Sequence, residues 1–230
     1  MKKIIFTFIV IMATIASSCT TGTGNQNAKP AEPVIPMVLD KFETIVLQAP
    51  DTLDGVALLT AMQNRRSDRE FETKNLSLKH LSEIMWATNG VNRPDGKRTV
   101  PSAMARYPLL TYVVLENGIY LYQPEQHIIV PVVEGDHRAL AGRQPFVETA
   151  PLNVVLIADY QKYGERPMPA DKRLYLAALD AGHCTQNIYL YCASEGLRNV
   201  VRAGAQEEEL LKLLNLDENY QFVVAHTVGY

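Results

Sequence analysis

The chain has 230 residues, 47% of them hydrophobic, and a formal net charge of −3. That suits one globular domain with a sizeable core. The mild, mixed charge excludes a general basic coat, so no nucleic-acid partner is expected.

The chain opens with "MKKIIFTFIVIMATIASSC": two lysines, an apolar run from Ile4 to Ile15, small residues, then Cys19. A charged start, a short apolar core and a small-residue exit make a secretory signal over residues 1–18. The run is shorter than the ~20 apolar residues of a membrane span. A cysteine directly after the small residues resembles a bacterial lipoprotein cleavage site, with Cys19 as the lipidated N-terminus. An ordinary cleaved signal with an incidental cysteine is the alternative. On the first reading the protein is an exported membrane lipoprotein, on the periplasmic or surface side, and touches the membrane through its anchor only. Residues 19–37 then form a tether rich in Thr, Gly and Asn, stiffened by Pro30 and Pro33.

The folded domain is expected over residues 38–230. "GVALLTAMQNR" (55–65) carries apolar residues at 56, 58, 59 and 62, a helical stripe. "SLKHLSEIMWAT" (77–88) reads as a helix with Ser77 as its N-cap. "NGVNRPDGKRTVPSA" (89–103) is a long Gly/Asn/Pro loop of the kind that often carries function. "LLTYVVLENGIYLYQPEQHIIVPVV" (109–133) reads as three short strands, with Asn117–Gly118 as a hairpin turn signal. "PLNVVLIAD" (151–159) is apolar enough for a central strand. Residues 170–196 read as one long helix, apolar around most of its circumference and therefore buried, as against a second subunit. Residues 205–216 form a short amphipathic helix and 220–230 a closing strand. Together these predict an α+β fold, a sheet covered by helices. Cys184 and Cys192, eight apart on the long helix, would be separated by about 12 Å of rise. That is too far for a disulfide; they read as small buried hydrophobes.

The densest charge lies in "RRSDREF" (65–71), three arginines and a serine within five positions. Guanidinium groups beside a hydroxyl suit a phosphate, which offers charge and several acceptor oxygens. From spacing alone, a solvated turn balanced by Asp68 and Glu70 is the other reading, and the commoner one.

The order of elements narrows the choice. "RRSDREF", an "L-x-x-L-x-x-I-M-W-A" helix, "NGVNR", "RTVPSA", "GIYLYQPEQH", "DAGHCTQNIYLYCASEGL" and "VVAHTVGY" follow one another over about residues 50–230. This series resembles the nitroreductase family of flavin enzymes, in particular the branch with the peptide azoline oxidases, which shares "RT-x-PSA" and "G-x-Y-x-Y-x-P". The resemblance implies a mainly antiparallel sheet covered by helices, a long buried central helix, and a homodimer with two FMN sites at its interface. It implies that Arg65, Arg66, Ser67 and Arg69 hold the FMN phosphate and ribityl chain. Pro101, Ser102 and Ala103 would reach the flavin from the partner subunit. Ala203 and Gly204 would form the turn whose backbone N–H faces flavin N5, and Gln186 and Asn187 would support the dimer core.

No protein acid, base or metal is required, and His183 reads as a satisfied helix histidine. The implied activity is ping-pong hydride transfer through flavin N5, NAD(P)H being the default donor and nitroaromatics or quinones the acceptors. Export places the domain where NAD(P)H is not normally supplied. That leaves room for a flavin-dependent dehydrogenase of a small or peptide-derived substrate; a third reading, motivated by the absence of a family-type basic tail, is an anchored binding module that kept the fold and lost turnover. Two departures from the family pattern bear on the site. Ala105 and Tyr107 stand where many relatives carry an asparagine and a glutamine. The sequence also stops at "VGY", without the basic tail that adds charge to the phosphate in many relatives. That leaves Arg65, Arg66, Arg69 and Arg202 to neutralise it.

Overall fold

The computed structural model describes residues 35–164 and 168–230. The signal, Cys19 and most of the tether lie outside the described residues. The elements are β1 (Ile45–Val46), α1 (Leu58–Asn64), α2 (Leu78–Asn89), β2 (Leu109–Leu115), β3 (Gly118–Gln123), β4 (Ile128–Glu134), β5 (Leu152–Asp159), α3 (Ala170–Glu195), β6 (Arg198–Arg202), α4 (Glu207–Leu213) and β7 (Tyr220–Gly229). Seven strands form one sheet in the order β1-β4-β3-β2-β5-β7-β6, every pair antiparallel. The fold is α+β, as expected.

The central strands explain the layers. In β5 every residue is buried, because successive side chains enter opposite cores. Leu152, Val154, Leu156 and Ala158 join the core under α2 and α3. Val155 and Ile157 join a second core with Tyr112, Val114, Leu210 and Phe222. A strand covered on both faces reads as a continuous apolar run, which made it legible.

Ser77 caps α2, its hydroxyl accepting from His80 N. Leu81, Ile84 and Met85 are fully buried along the predicted face. At the first hairpin the turn residues are Glu116 and Asn117, while Gly118 opens β3. The glycine is needed for space, because a Cβ there would run into the Phe42 ring.

Helix α3 ends where Gly196 adopts φ +70°, a left-handed stop that glycine accepts without strain. Its inner face buries Ala177, Ala181, Cys184, Ile188 and Cys192. Its outer face, with Tyr175, Leu179, Gly182, His183 and Gln186, is open. The long helix is therefore buried along one side of the single chain only. The stripe of α1 is open in the same way: Leu59 is 77% exposed and only Ala61 is buried. Both cysteines are free and buried. Among the described residues, no helix is long and apolar enough to cross a membrane.

Candidate functional site

The arginine segment leaves α1 at Arg65 and runs beside β6. Asp68 N donates to Asn199 O at 2.8 Å, and Arg198 donates to Glu70 O at 3.1 Å. Side chains alternate along such an extended run. Arg65 and Ser67 turn toward α3: the Arg65 guanidinium lies 5.1 Å from the Tyr189 ring centroid, and Ser67 Oγ is 2.7 Å from the Tyr189 hydroxyl. Arg66 and Asp68 instead line a cavity of about 530 Å³ with Arg198 and Asn199. Asp68 and Glu70 do not neutralise the cluster. Among the described residues, Arg65, Arg66 and Arg69 have no carboxylate within ion-pair distance, and Glu70 approaches Arg198 at 3.9 Å. The segment is solvent-exposed at Arg66, Ser67, Arg69 and Glu70, but its carboxylates form no ion pair with its own arginines. Arg65 and the Ser67 hydroxyl thus share the Tyr189 side, while Arg66 and Asp68 face the cavity, and none of the three arginines is held in an ion pair among the described residues.

The segment is joined to the turn after β6 through one side chain. The Tyr189 hydroxyl accepts from Val201 N at 3.1 Å, three residues before Gly204. Gly204 lies in open space, where a Cβ would meet no atom within 4 Å. Nothing inside the chain demands a glycine there, and the backbone of the turn is open to approach from outside.

Arg202, expected to help hold an anion, is committed elsewhere. It is buried, and it donates to Ala141 O (2.6 Å), Asn153 Oδ1 (3.0 Å) and Thr227 Oγ1 (2.8 Å). Desolvation lowers its pKa to about 10. No carboxylate pairs with it among the described residues. Beside it, His226 is fully buried, and burial, reinforced by the charge of Arg202, lowers its pKa to about 3. The neutral ring hydrogen-bonds Asn199 Oδ1 at 2.9 Å and packs edge-on against Tyr189 at 4.8 Å. A neutral His226 adds no repulsion to a neighbourhood already rich in cations.

The 101–103 segment sits elsewhere in the single chain. Ser102 Oγ donates to Asp180 Oδ2 at 2.6 Å and accepts from Tyr107 N at 2.9 Å. Burial pushes the Asp180 carboxyl up, the Ser102 bond opposing it. Met104, Ala105 and Tyr107 adopt φ values of +55°, +51° and +46°, a strained run for non-glycine residues. Tyr107 braces the run, with the Arg98 guanidinium 4.7 Å over its ring. Asp180 and Tyr189 are nine positions apart on α3, about 13 Å of helix. One chain therefore joins Arg65, Ser67 and the 203–204 turn, and holds Pro101–Ala103 apart from them.

Asn187 ties α3 to α2, donating to Ala87 O at 2.9 Å, while Gln186 and His183 lie on the open face. His183 has no hydrogen-bond partner among the described residues and is exposed to solvent.

Residues 62–230 match the family model "Nitroreductase family". The chain belongs to the nitroreductase family. A Methanocaldococcus jannaschii protein provisionally named a nitroreductase is 34% identical over 190 residues, covering 76% of this chain and 92% of that protein. The crystal structure of a Ralstonia eutropha protein, also provisionally a nitroreductase, is 36% identical, with a TM-score of 0.76, covering 87% of this chain and 95% of that one. The NADPH:FMN oxidoreductase of Vibrio harveyi, complexed with NAD+, has the same fold: TM-score 0.57, 19% identity, 75% of this chain and 68% of that one. Membership makes this nitroreductase-family chain a flavin oxidoreductase in general terms.

Sequence reasoning did not single out Tyr189. The available signal was a hydroxyl on the buried stripe of α3, since a buried phenol needs a hydrogen-bond partner. With no strand predicted over residues 198–202, the element that places Val201 beside it stayed hidden.

Proposed function

We propose that the protein is an exported, lipid-anchored homodimer that binds FMN and catalyses NAD(P)H-linked reduction of nitroaromatic or quinone-type acceptors. Residues 1–18 are the signal, Cys19 and residues 20–37 the anchor and tether, and 38–230 the flavin domain. The observation that carries the reading is the trio Arg65, Arg66 and Arg69, none of them held in an ion pair among the described residues, in one segment with Ser67. Such a donor set fits a phosphate monoester, which accepts charge-assisted, bidentate hydrogen bonds.

Arg65, Ser67 and Arg69 would hold the phosphate and ribityl arm, with Arg66 adding charge from the cavity side. Arg202 serves instead as a buried brace beneath the turn. The backbone at Ala203 and Gly204 offers fixed N–H donors in open space, suited to charge that develops on a flat ring. Pro101–Ala103, pinned by Asp180 and held apart from the arginines, supplies the half of the site that a two-fold-related partner completes. The open faces of α1 and α3 support that pairing, since apolar residues on two neighbouring helices otherwise remain in water. When bound, FMN supplies the redox chemistry, accepting hydride at N5 and passing electrons to the acceptor. The chain itself binds, orients and leaves a ring face accessible.

Anaerobic addition of NADH or NADPH to the purified protein tests the donor. Bleaching of the visible flavin absorption is expected. A flavin that stays oxidised with both nucleotides would remove the NAD(P)H assignment and favour a dehydrogenase.

A further inference from the structure

We propose that Tyr189 is a positioning residue that turns the Ser67 hydroxyl into a donor for the cofactor's phosphate ester. The proposal rests on the FMN reading above and assigns a role to a side chain outside the arginine motif. It follows from the direction of two protons. The Tyr189 hydroxyl already accepts from Val201 N at 3.1 Å, and it lies 2.7 Å from Ser67 Oγ. Two arrangements are possible. If Ser67 donates to Tyr189, the phenol proton needs a third partner. Tyr189 is 7% exposed, and the ring also meets the His226 ring edge and the Arg65 guanidinium. Among these only the unpartnered His226 Nδ1 could accept, and no hydrogen bond joins it to the Tyr189 hydroxyl. A buried hydroxyl proton without an acceptor is costly. If Tyr189 donates to Ser67, every group on this path is satisfied. Ser67, which is exposed, then has its own proton left to give outward, on the side where Arg65 lies.

An acceptor-only dianion matches that pattern. It takes the Ser67 proton and the guanidinium protons and offers none in return. The phenol also spans two parts of the site, since Val201 lies near the end of β6, which leads into the 203–204 turn. Loss of the hydroxyl therefore acts on the phosphate arm through Ser67, and the ring of the tyrosine keeps its packing against Arg65 and His226.

The test compares FMN with riboflavin, which lacks the phosphate. Both are titrated by fluorescence quenching into the flavin-stripped full chain, for wild type, Tyr189→Phe, Ser67→Ala and the double variant. Tyr189→Phe should weaken FMN about tenfold and change riboflavin less than twofold; on the Ser67→Ala background it should change FMN no further. Equal weakening of FMN and riboflavin would make Tyr189 merely structural, and unchanged FMN affinity or additive effects would also overturn the proposal. A wild type that binds both flavins equally would instead overturn the phosphate assignment, and with it this proposal. Should Tyr189→Phe fold poorly, a fluorinated tyrosine at position 189 is a stronger donor and should tighten FMN relative to riboflavin. Unchanged or weaker binding would then refute the role.

Discussion

Acidification should reveal the neutral histidine beneath the site. His226 is fully buried, and burial, with the nearby charge of Arg202, lowers its pKa from 6.5 to about 3. Between those values the unfolded chain carries a proton on this ring and the folded chain does not. Stability therefore falls as the pH drops below 6.5, by about 1.4 kcal/mol per pH unit until the folded value is reached. From pH 7.5 to pH 5.0 the loss from this one group is about 2 kcal/mol. Other groups move with it: burial also lowers His80 and His127, and raises Asp180 and Glu195, which act in the opposite sense. His226→Gln separates them, because an amide keeps a donor for Asn199 Oδ1 and does not titrate. Urea denaturation at the two pH values should show wild type losing about 2 kcal/mol more than the variant. Parallel losses in the two proteins would refute a neutral, buried His226.

Leu179→Glu, on the open face of α3, should shift the protein from dimer to monomer in light scattering while leaving its circular dichroism unchanged. A charge on an apolar interface is left desolvated and unpaired. Ser77→Ala should cost about 1 kcal/mol in denaturant melts, through loss of the α2 cap. Cys19→Ala should move the protein from the membrane to the soluble fraction after export, as read by fractionation; unchanged membrane association would remove the lipid anchor.

What the sequence disclosed, and what it hid, follows from the range of the interactions. Strand β5 was legible because both its faces are buried, and α2 because its cap and stripe are local. The left-handed Gly196 marked the end of α3. Strand β6 was not legible: five residues framed by arginines give no alternation, and the strand exists because β7 lies beside it. Arg202 looked like part of the anion site because, without a basic tail, it was among the few cations left to neutralise a phosphate. Only the fold shows it committed to Ala141, Asn153 and Thr227. The exposed stripe of α1 looked like a core face, since sequence alone does not say whether an apolar face packs within a chain or against another copy. Tyr189 and Ser67 are 122 residues apart, and no local pattern couples them.

Flavin content is the most direct measure of the central idea that the unpaired arginines grip a phosphate. The purified protein should be yellow, with FMN released stoichiometrically on denaturation. Arg65→Ala combined with Arg69→Ala removes two charge-assisted contacts, about 3 kcal/mol or more, and should weaken FMN by roughly a hundredfold or more. The variant should then purify colourless, still folded and still dimeric. A double variant that retains FMN as tightly as the wild type would contradict the account.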